Sequence, residues 1–406
     1  MINKNFKVFV GVDVSKDSFS ACALHSPQNI LFEAKFSMSL SGFKDFIKRL
    51  STFPTNSILI AKEASGCYYI NLFAYLAQKG FSCLVLNPLL VNKFFTASLR
   101  KTKTDKIDAK AIAIMLYHIH EQLPDKSSLP KDFRDIARER EKIAQQIATV
   151  KNDIEKLLTV LFPELERIVN IYNSSTLKLL SKFPSAHALK NASVEQIEEA
   201  LCPKTAGRPV KVSAQKIKSL AEKSIARHWP VKEMILVQKI KELLFFEEQL
   251  EFFTNMLREF CKEASLCQDI EILKSIKGIG DITTMHFLAE VGNIEQFDST
   301  KKLIAYCGID PTVYESGRFK GKSKISKRGN RHLRRIVWLM SVGVVMHNEY
   351  FRKYYNRRRA EGLVYRKAIL AVAHKLLRTI WSMLTKKELF YSNHAPHHLY
   401  EKDNFL

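Results

Sequence analysis

Four acidic residues carry the chemistry this chain could do. They are Asp13 in Val10-Gly11-Val12-Asp13-Val14, Glu63 in Ala61-Lys62-Glu63-Ala64-Ser65-Gly66, and Asp105 with Asp108 in Lys103-Thr104-Asp105-Lys106-Ile107-Asp108. Asp13 sits in an apolar strand, where a carboxylate flanked by valines is costly without compensation. Asp105 and Asp108 are three residues apart at a helix start, so their side chains share a face. If that face packs on the strands carrying Asp13 and Glu63, the four acids converge. Mutual repulsion then raises their pKa values unless cations neutralise them, and a pair of Mg²⁺ ions does this while polarising a phosphodiester. Taken singly, Asp105 has a plainer explanation: an acid in a first helical turn, with Thr104 as N-cap.

A hydroxyl nucleophile is the second possibility. Tyr314-Glu315-Ser316-Gly317 precedes Arg318, Lys320, Lys322 and Lys324, and then Ile325-Ser326-Lys327-Arg328-Gly329-Asn330-Arg331-His332-Leu333-Arg334-Arg335. A serine among cations has a stabilised alkoxide and an attracted phosphate, which suits phosphoryl transfer. Ser-Gly is also an ordinary turn, and spacing does not separate Ser316 from Ser323 or Ser326. Arg331, Arg334 and Arg335 share a helical face that could grip successive phosphates, together with Lys327, Arg328 and Asn330. A solvated basic surface is the plain alternative.

Composition favours the polyanion. The net charge is +23, and residues 300–368 hold 18 Lys or Arg against 4 Asp or Glu, a surplus of 14 in about a sixth of the chain. Such an excess points to nucleic acid or to an acidic membrane surface. The longest apolar run, 336–346, is too short to span a bilayer, and no signal-peptide pattern opens the chain. Nucleic acid is therefore the expected partner, with no membrane. Seven scattered cysteines without a CxxC pair fit reduced thiols in a cytoplasmic protein.

The elements that must position these residues follow from the hydrophobic pattern. With 406 residues, 46% of them hydrophobic, two or three domains are expected. Residues 7–14, 18–24 and 30–36 read as strands, 42–50 as a helix, 57–61 as a strand, 68–78 as a helix, 82–86 as a strand and 105–120 as a helix. That order is the order of the ribonuclease-H-like fold, a mixed α/β sheet. Ile143, Ile147, Val150, Ile154, Leu157 and Leu161 then form a heptad seam, and Leu236, Ile240, Leu243, Leu250, Phe253 and Leu257 a second. An antiparallel coiled-coil hairpin, pairing with a second protomer, or packing within one core would each produce them. Residues 203–212 read as a polar linker. Ile276-Lys277-Gly278-Ile279-Gly280 before a helix looks like a helix-hairpin-helix turn, whose backbone N–H groups at Gly278 and Gly280 can receive a phosphate. The expected domains are 1–125, α/β and catalytic; 126–268, helical with an insertion; 269–390, mainly α; and 391–406, a tail containing His394, His397 and His398.

Together these motifs resemble the transposases of the insertion-sequence 110 and 1111 group, which includes pilin-gene invertases. The likeness runs through Gly11-Val12-Asp13-Val14-Ser15-Lys16, Glu63-Ala64-Ser65-Gly66 and Lys103-Thr104-Asp105-Lys106-Ile107-Asp108-Ala109-Lys110. It continues through Gly278-Ile279-Gly280, Phe297, Leu303-Ile304-Ala305-Tyr306-Cys307-Gly308-Ile309, Tyr314-Glu315-Ser316-Gly317 and Ile325-Ser326-Lys327-Arg328-Gly329-Asn330. Ser65 stands where the group more often has threonine. The resemblance implies a RuvC-like domain whose Asp-Glu-Asp-Asp tetrad, here Asp13, Glu63, Asp105 and Asp108, binds Mg²⁺. It implies Ser316 as the nucleophile that forms a phosphoserine link to DNA, and a structured bridge RNA as guide. It also implies a bacterial, nucleoid-associated homo-oligomer, dimer or tetramer, in which the tetrad of one subunit faces the serine of another. Two rivals are a Mg²⁺-dependent hydrolytic nuclease that ignores Ser316 and a non-catalytic nucleic-acid-binding protein.

Overall fold

The computed structural model describes residues 6–63, 66–86, 91, 105–120, 132–201, 212–264, 266–312, 315–316, 319–320 and 324–391; for 105–107, 312, 315–316 and 319–320 it describes the backbone alone. The chain divides into two compact units, Met1–Asp132 with Asn293–Arg331, and Phe133–Gly292 with His332–Leu406. Among the described residues no helix is long and apolar enough to cross a membrane.

The first unit is built on a five-stranded sheet of order β3-β2-β1-β4-β5. Its strands are β1 (Val8–Val14), β2 (Ser18–Ser26), β3 (Asn29–Ser37), β4 (Ile58–Glu63) and β5 (Ser82–Leu86). β1 pairs antiparallel with β2 and parallel with β4, so a hairpin side meets a crossover side at β1. Strands covered on both faces read as near-continuous apolar runs, as Val8 to Val12 and Ile58 to Ala61 do. One face buries Val8, Val10, Val12, Ile58 and Ile60 under α1 (Leu40–Leu50) and α2 (Tyr69–Gln78). Phe43, Phe46 and Leu50 of α1 complete that layer, and Ser39 caps the helix by accepting from the Gly42 N–H. The other face buries Phe9, Leu59, Ala61, Leu84 and Leu86 under α3 (Asp105–Ile119) through Ala109, Ile112, Ala113 and Leu116. These elements match the expected strand and helix order to within a few residues at each end.

In the second unit α4 (Asp132–Leu161) is followed by α5 (Ser174–Lys182), α6 (Ala186–Asn191), α7 (Val194–Leu201) and α8 (Ala214–Glu222), and then by the long α9 (Pro230–Glu263). Phe133 stacks on Phe260, Arg140 donates to Thr254, Lys151 pairs with Glu247 and Lys239 with Asp153. As one partner rises in number the other falls, so α4 and α9 lie antiparallel in one chain. Ile143, Ile147, Val150, Ile154, Leu158 and Leu161 of α4 and Leu236, Ile240 and Leu243 of α9 belong to a core shared with the inserted segment, including Leu165, Leu180, Leu189, Ile197 and Ile217. The α4 seam differs from its expected course: Leu158 is fully buried while Leu157 only packs against the core from its edge. The strict 3.5-residue repeat thus drifts within the helix, as packing on a broad core rather than a narrow two-helix seam allows.

Further elements among the described residues are α10 (Cys267–Lys274), α11 (Asp281–Val291), α12 (Thr300–Cys307), four two-residue strands, and α13 (Arg331–His347), α14 (Glu349–Ala360) and α15 (Tyr365–Lys386). The strands are β6 (Pro311–Thr312), β7 (Glu315–Ser316), β8 (Phe319–Lys320) and β9 (Lys324–Ile325). β6 pairs with β9 and β7 with β8, both antiparallel. α14 was not foreseen. Its composition is too polar to show an apolar period, and it buries Phe351.

Candidate functional site

Gly11 is the residue on which the acidic cluster turns. A Cβ built there would lie 2.0 Å from the Ala109 carbonyl oxygen and 2.4 Å from the Ala113 nitrogen, so α3 rests directly on the backbone of β1. Further along, the Phe9 ring meets Tyr117 at 5.4 Å and His120 at 4.7 Å. Lower strand numbers thus face higher helix numbers, and the two elements run in opposite directions. Two strand residues advance about 6.6 Å, which a helix covers in about four residues. One such step beyond the Gly11 contact brings Asp13 to the first turn of α3, where Asp105 and Asp108 stand. Asp13 and Asp108 are both half-buried.

Glu63 joins them through strand register. β1 and β4 pair in parallel up to the rung Val12–Lys62. Asp13 and Glu63 follow one residue later on neighbouring strands, which lie about 5 Å apart. Alternation gives both side chains the α3 face, since Val12 lies on the opposite one. Asp13, Glu63 and Asp108 therefore gather at one edge of the sheet. The backbone of Asp105 opens α3, while its side chain lies outside the described residues. Carboxylate oxygens are the hard donors that Mg²⁺ takes, so the donor set fits such an ion.

Lys62 belongs to this site, although nothing in the sequence singled it out. It is 2% exposed, and its Nζ lies 3.9 Å from the centre of the Tyr69 ring at the start of α2. Burial pulls its pKa down to about 8, against the opposing pull of Asp13, Glu63 and Cys67. A buried cation is thus held within electrostatic reach of two of the acids. One hint was available: a lysine closing the apolar run Ile58 to Ala61.

The basic segment is shaped by backbone contacts. The Lys327 N–H donates to the Gly308 carbonyl, and the Asn330 N–H to that of Tyr306. Gly329 leaves no space for a side chain, since a Cβ would lie 2.2 Å from the Tyr306 oxygen. Ser326 donates to Asp310 at 2.5 Å and accepts from the Arg328 N–H, so its hydroxyl serves as a clip within this loop. Lys324, Lys327, Arg328 and Arg331 are exposed. Ser316 is placed in β7, opposite Phe319, and Lys320 in β8, by their backbones alone. Tyr314, Arg318, Lys322 and Ser323 lie outside the described residues, as do Thr104 and the histidines of the tail.

On α13 the expected shared face is uneven. Leu333, Val337, Met340 and Val344 are buried; Arg331 and Arg335 lie away from them, and Arg334 is half-buried at the border. Arg335 is also paired with Glu141 at 3.1 Å, and His332 Nδ1 lies 2.7 Å from the other oxygen of that carboxylate. Glu290 is buried and held by two bonds from Arg138. Gly278 has φ +104°, and a Cβ there would lie 2.5 Å from the Gly343 carbonyl oxygen. Tight helix packing therefore accounts for this glycine. Gly280 caps α11 in open space, but Asp281 in the first turn already supplies an anion and pairs with Lys274 at 2.6 Å.

Two family models match the chain. One, of the DEDD type of IS110 and described as Transposase, matches residues 10–163; such a domain implies use of a divalent metal. The other, Transposase IS116/IS110/IS902 family, matches residues 270–356. The chain is 24% identical over 411 residues to the Insertion element IS116 uncharacterized 44.8 kDa protein of Streptomyces clavuligerus, covering 96% of this chain and 98% of that one. It is 24% identical over 389 residues to the Pilin gene-inverting protein of Moraxella bovis (95% and 98%), and 20% over 390 residues to the transposase for IS1111A of Coxiella burnetii (95% and 92%). With residues 10–163 and 270–356 matched in order by two models of one family and relatives aligned over nearly its full length, the chain belongs to the IS110/IS116/IS1111 family of transposases.

Proposed function

We propose that this transposase cleaves and rejoins double-stranded DNA through a phosphoserine intermediate, with Asp13, Glu63, Asp105 and Asp108 as its metal-binding tetrad and Ser316 as its nucleophile. The observation that carries the reading is the contact of α3 with Gly11, which brings the first turn of that helix to the sheet edge carrying Asp13 and Glu63. The strand order 3-2-1-4-5, with β2 antiparallel, supports a RuvC-like assignment for this domain. Bound by the four carboxylates, Mg²⁺ would draw charge from the scissile phosphate.

The chain's own residues do the rest. Ser316 Oγ forms a bond to phosphorus as the bond from phosphorus to a sugar oxygen breaks. The serine gives up its proton and the departing sugar oxygen gains one, so the exchange is balanced. One phosphoester replaces another, and rejoining to a different strand needs no nucleotide; no GxxxxGK[ST] motif occurs in the sequence. Lys324, Lys327, Arg328 and Arg331, all exposed, support phosphate contacts beside that serine. Ser326 is engaged with Asp310 and Arg328, which favours Ser316 over it. Guidance by a structured RNA rests on the family resemblance. Self-association is supported by exposed Met234, Leu244, Phe245 and Phe252 on α9.

The test is trapping of covalent protein–DNA adducts with Mg²⁺ and duplexes carrying the element ends. Wild type should yield adducts and rejoined junctions. Ser316→Ala should yield neither while binding DNA normally, and Asp13→Asn should remove both products. Adducts persisting in Ser316→Ala, or free nicked ends as the sole product of wild type, would refute the serine mechanism; the second result would favour a hydrolytic nuclease.

A further inference from the structure

The inserted helices between α4 and α9 hold a cluster unrelated to the acidic tetrad. His187 is the second residue of α6, His228 immediately precedes the N-cap of α9, and Glu233 lies in the first turn of α9. The two imidazoles are stacked with centroids 4.1 Å apart and planes 16° from parallel. His228 Nε2 lies 3.8 Å from Glu233 Oε2. One ligand atom from each residue falls within 4.8 Å of the others.

Three features make this more than a chance meeting of surface groups. First, the carboxylate is fixed. Ser185, fully buried as the N-cap of α6, donates to Glu233 Oε1 at 2.6 Å while accepting from the Ala188 N–H. That leaves Oε2 turned toward His228, the arrangement in which an outer hydrogen bond orients a metal ligand. Second, two stacked imidazoles beside one carboxylate supply the nitrogen and oxygen lone pairs that a borderline cation collects. Third, both histidines are exposed, so their rings can swing inward without disturbing the core. Ligand atoms on one zinc ion stand about 3.4 Å apart, given bonds of about 2.0–2.2 Å, so closure requires a movement of about 1 Å.

We propose that His187, His228 and Glu233 form a binding site for a divalent transition-metal ion of the zinc class, which staples α6 to the first turn of α9. Two imidazoles and one carboxylate suit Zn²⁺, Co²⁺ or Ni²⁺ and not Mg²⁺, which prefers oxygen ligands. Three protein ligands leave a fourth position for water. The staple closes a loop of about 40 residues, restricting the unfolded chain. The inserted helices thereby acquire a function of their own, independent of the reading proposed for the tetrad.

The test uses the full chain, stripped with chelator and held in excess Mg²⁺. Zn²⁺ is titrated by calorimetry, Co²⁺ by visible absorption, and Tm is followed with added Zn²⁺. Wild type should bind one more equivalent of Zn²⁺ than His187→Ala/His228→Ala, show Co²⁺ bands that the double variant lacks, and gain several degrees in Tm that it does not gain. Glu233→Gln, which can keep the Ser185 hydrogen bond, should weaken the site at least tenfold. Exposed Cys67 and Cys267 are present in every variant, so zinc held by thiols cancels in the comparison. Both histidines are exposed, and matching circular dichroism of the metal-free proteins would show the fold intact. Equal Zn²⁺ stoichiometry and equal Tm gain in wild type and double variant would overturn the proposal.

Discussion

Replacing Gly11 with alanine tests the geometry of the acidic cluster without touching an acid. The added methyl group would lie 2.0 Å from the Ala109 oxygen and 2.4 Å from the Ala113 nitrogen, whereas real Cβ contacts essentially never fall below 3.0 Å. Both obstructing atoms are helix backbone, so no rotamer change relieves the clash. The first half of α3 must withdraw by about 1 Å. Overpacking of this kind costs about 1–3 kcal/mol, and more where backbone has to move. A displacement of about 1 Å in a group that positions reacting atoms costs about 100-fold in rate. Gly11→Ala should therefore lower Tm by several degrees and reduce Mg²⁺-dependent DNA cleavage by about 100-fold per folded molecule.

A second variant separates these two effects. Gly42 is equally crowded, with a Cβ only 2.2 Å from the Ser37 oxygen, but it belongs to α1 on the opposite face of the sheet. Gly42→Ala should cost comparable stability and leave cleavage per folded molecule within about twofold of wild type. Differential scanning calorimetry and single-turnover cleavage of a labelled duplex supply the two readouts. If Gly11→Ala cleaved at the wild-type rate, or if both variants lost activity in proportion to stability alone, the placement of α3 against β1 would not be what organises the acids.

Three further outcomes are expected. Phe245→Glu combined with Phe252→Glu, two exposed positions on α9, should lower the mass measured by light scattering; an unchanged mass would mean that self-association uses another surface. Lys62→Met removes a buried positive charge near Asp13 and Glu63, so calorimetry should show Mg²⁺ bound severalfold more tightly, and weaker binding would contradict the assigned electrostatics. Burial, aided by Arg140 and Arg335 and opposed by Glu141 and Glu290, lowers the His286 pKa from 6.5 to about 4. The unfolded chain then takes up the proton first: stability is full above about pH 6.5 and falls by up to about 3 kcal/mol as pH drops toward 4, a loss that His286→Gln should lessen in denaturant titrations.

The α/β half of the molecule was legible because its evidence is local. Val8 to Val12 and Ile58 to Ala61 are apolar runs bounded by breaks, and their strand order follows from the alternation of elements. Gly11 within such a run is a mark of close backbone approach, and here it is filled by α3. The helical half yielded less. The heptad pattern of α4 runs through Leu157, whereas the broad core takes Leu158, because residues on the inserted helices cover it in a way no heptad rule contains. Gly278 looked like a phosphate turn; its need for glycine comes from Gly343, 65 positions later.

Buried charge was the least legible feature. Glu290 is held by Arg134 and Arg138, and Glu141 faces His332 and Arg335, partners roughly 150 to 190 residues away in sequence. No local pattern marks such a residue, since an acid on a helix is most often a solvated one. Lys62 follows the same logic at the site itself. Its neighbours in sequence predict an inward-facing aliphatic residue, and the strand does bury it, with the Tyr69 ring over its Nζ. An ammonium kept there at a desolvation cost, on the face opposite the acids but within reach of their charge, sets a limit on how much negative potential Asp13 and Glu63 can present. The Mg²⁺ affinity of the proposed tetrad should therefore depend on a residue that offers no ligand atom and lies on the far side of the sheet.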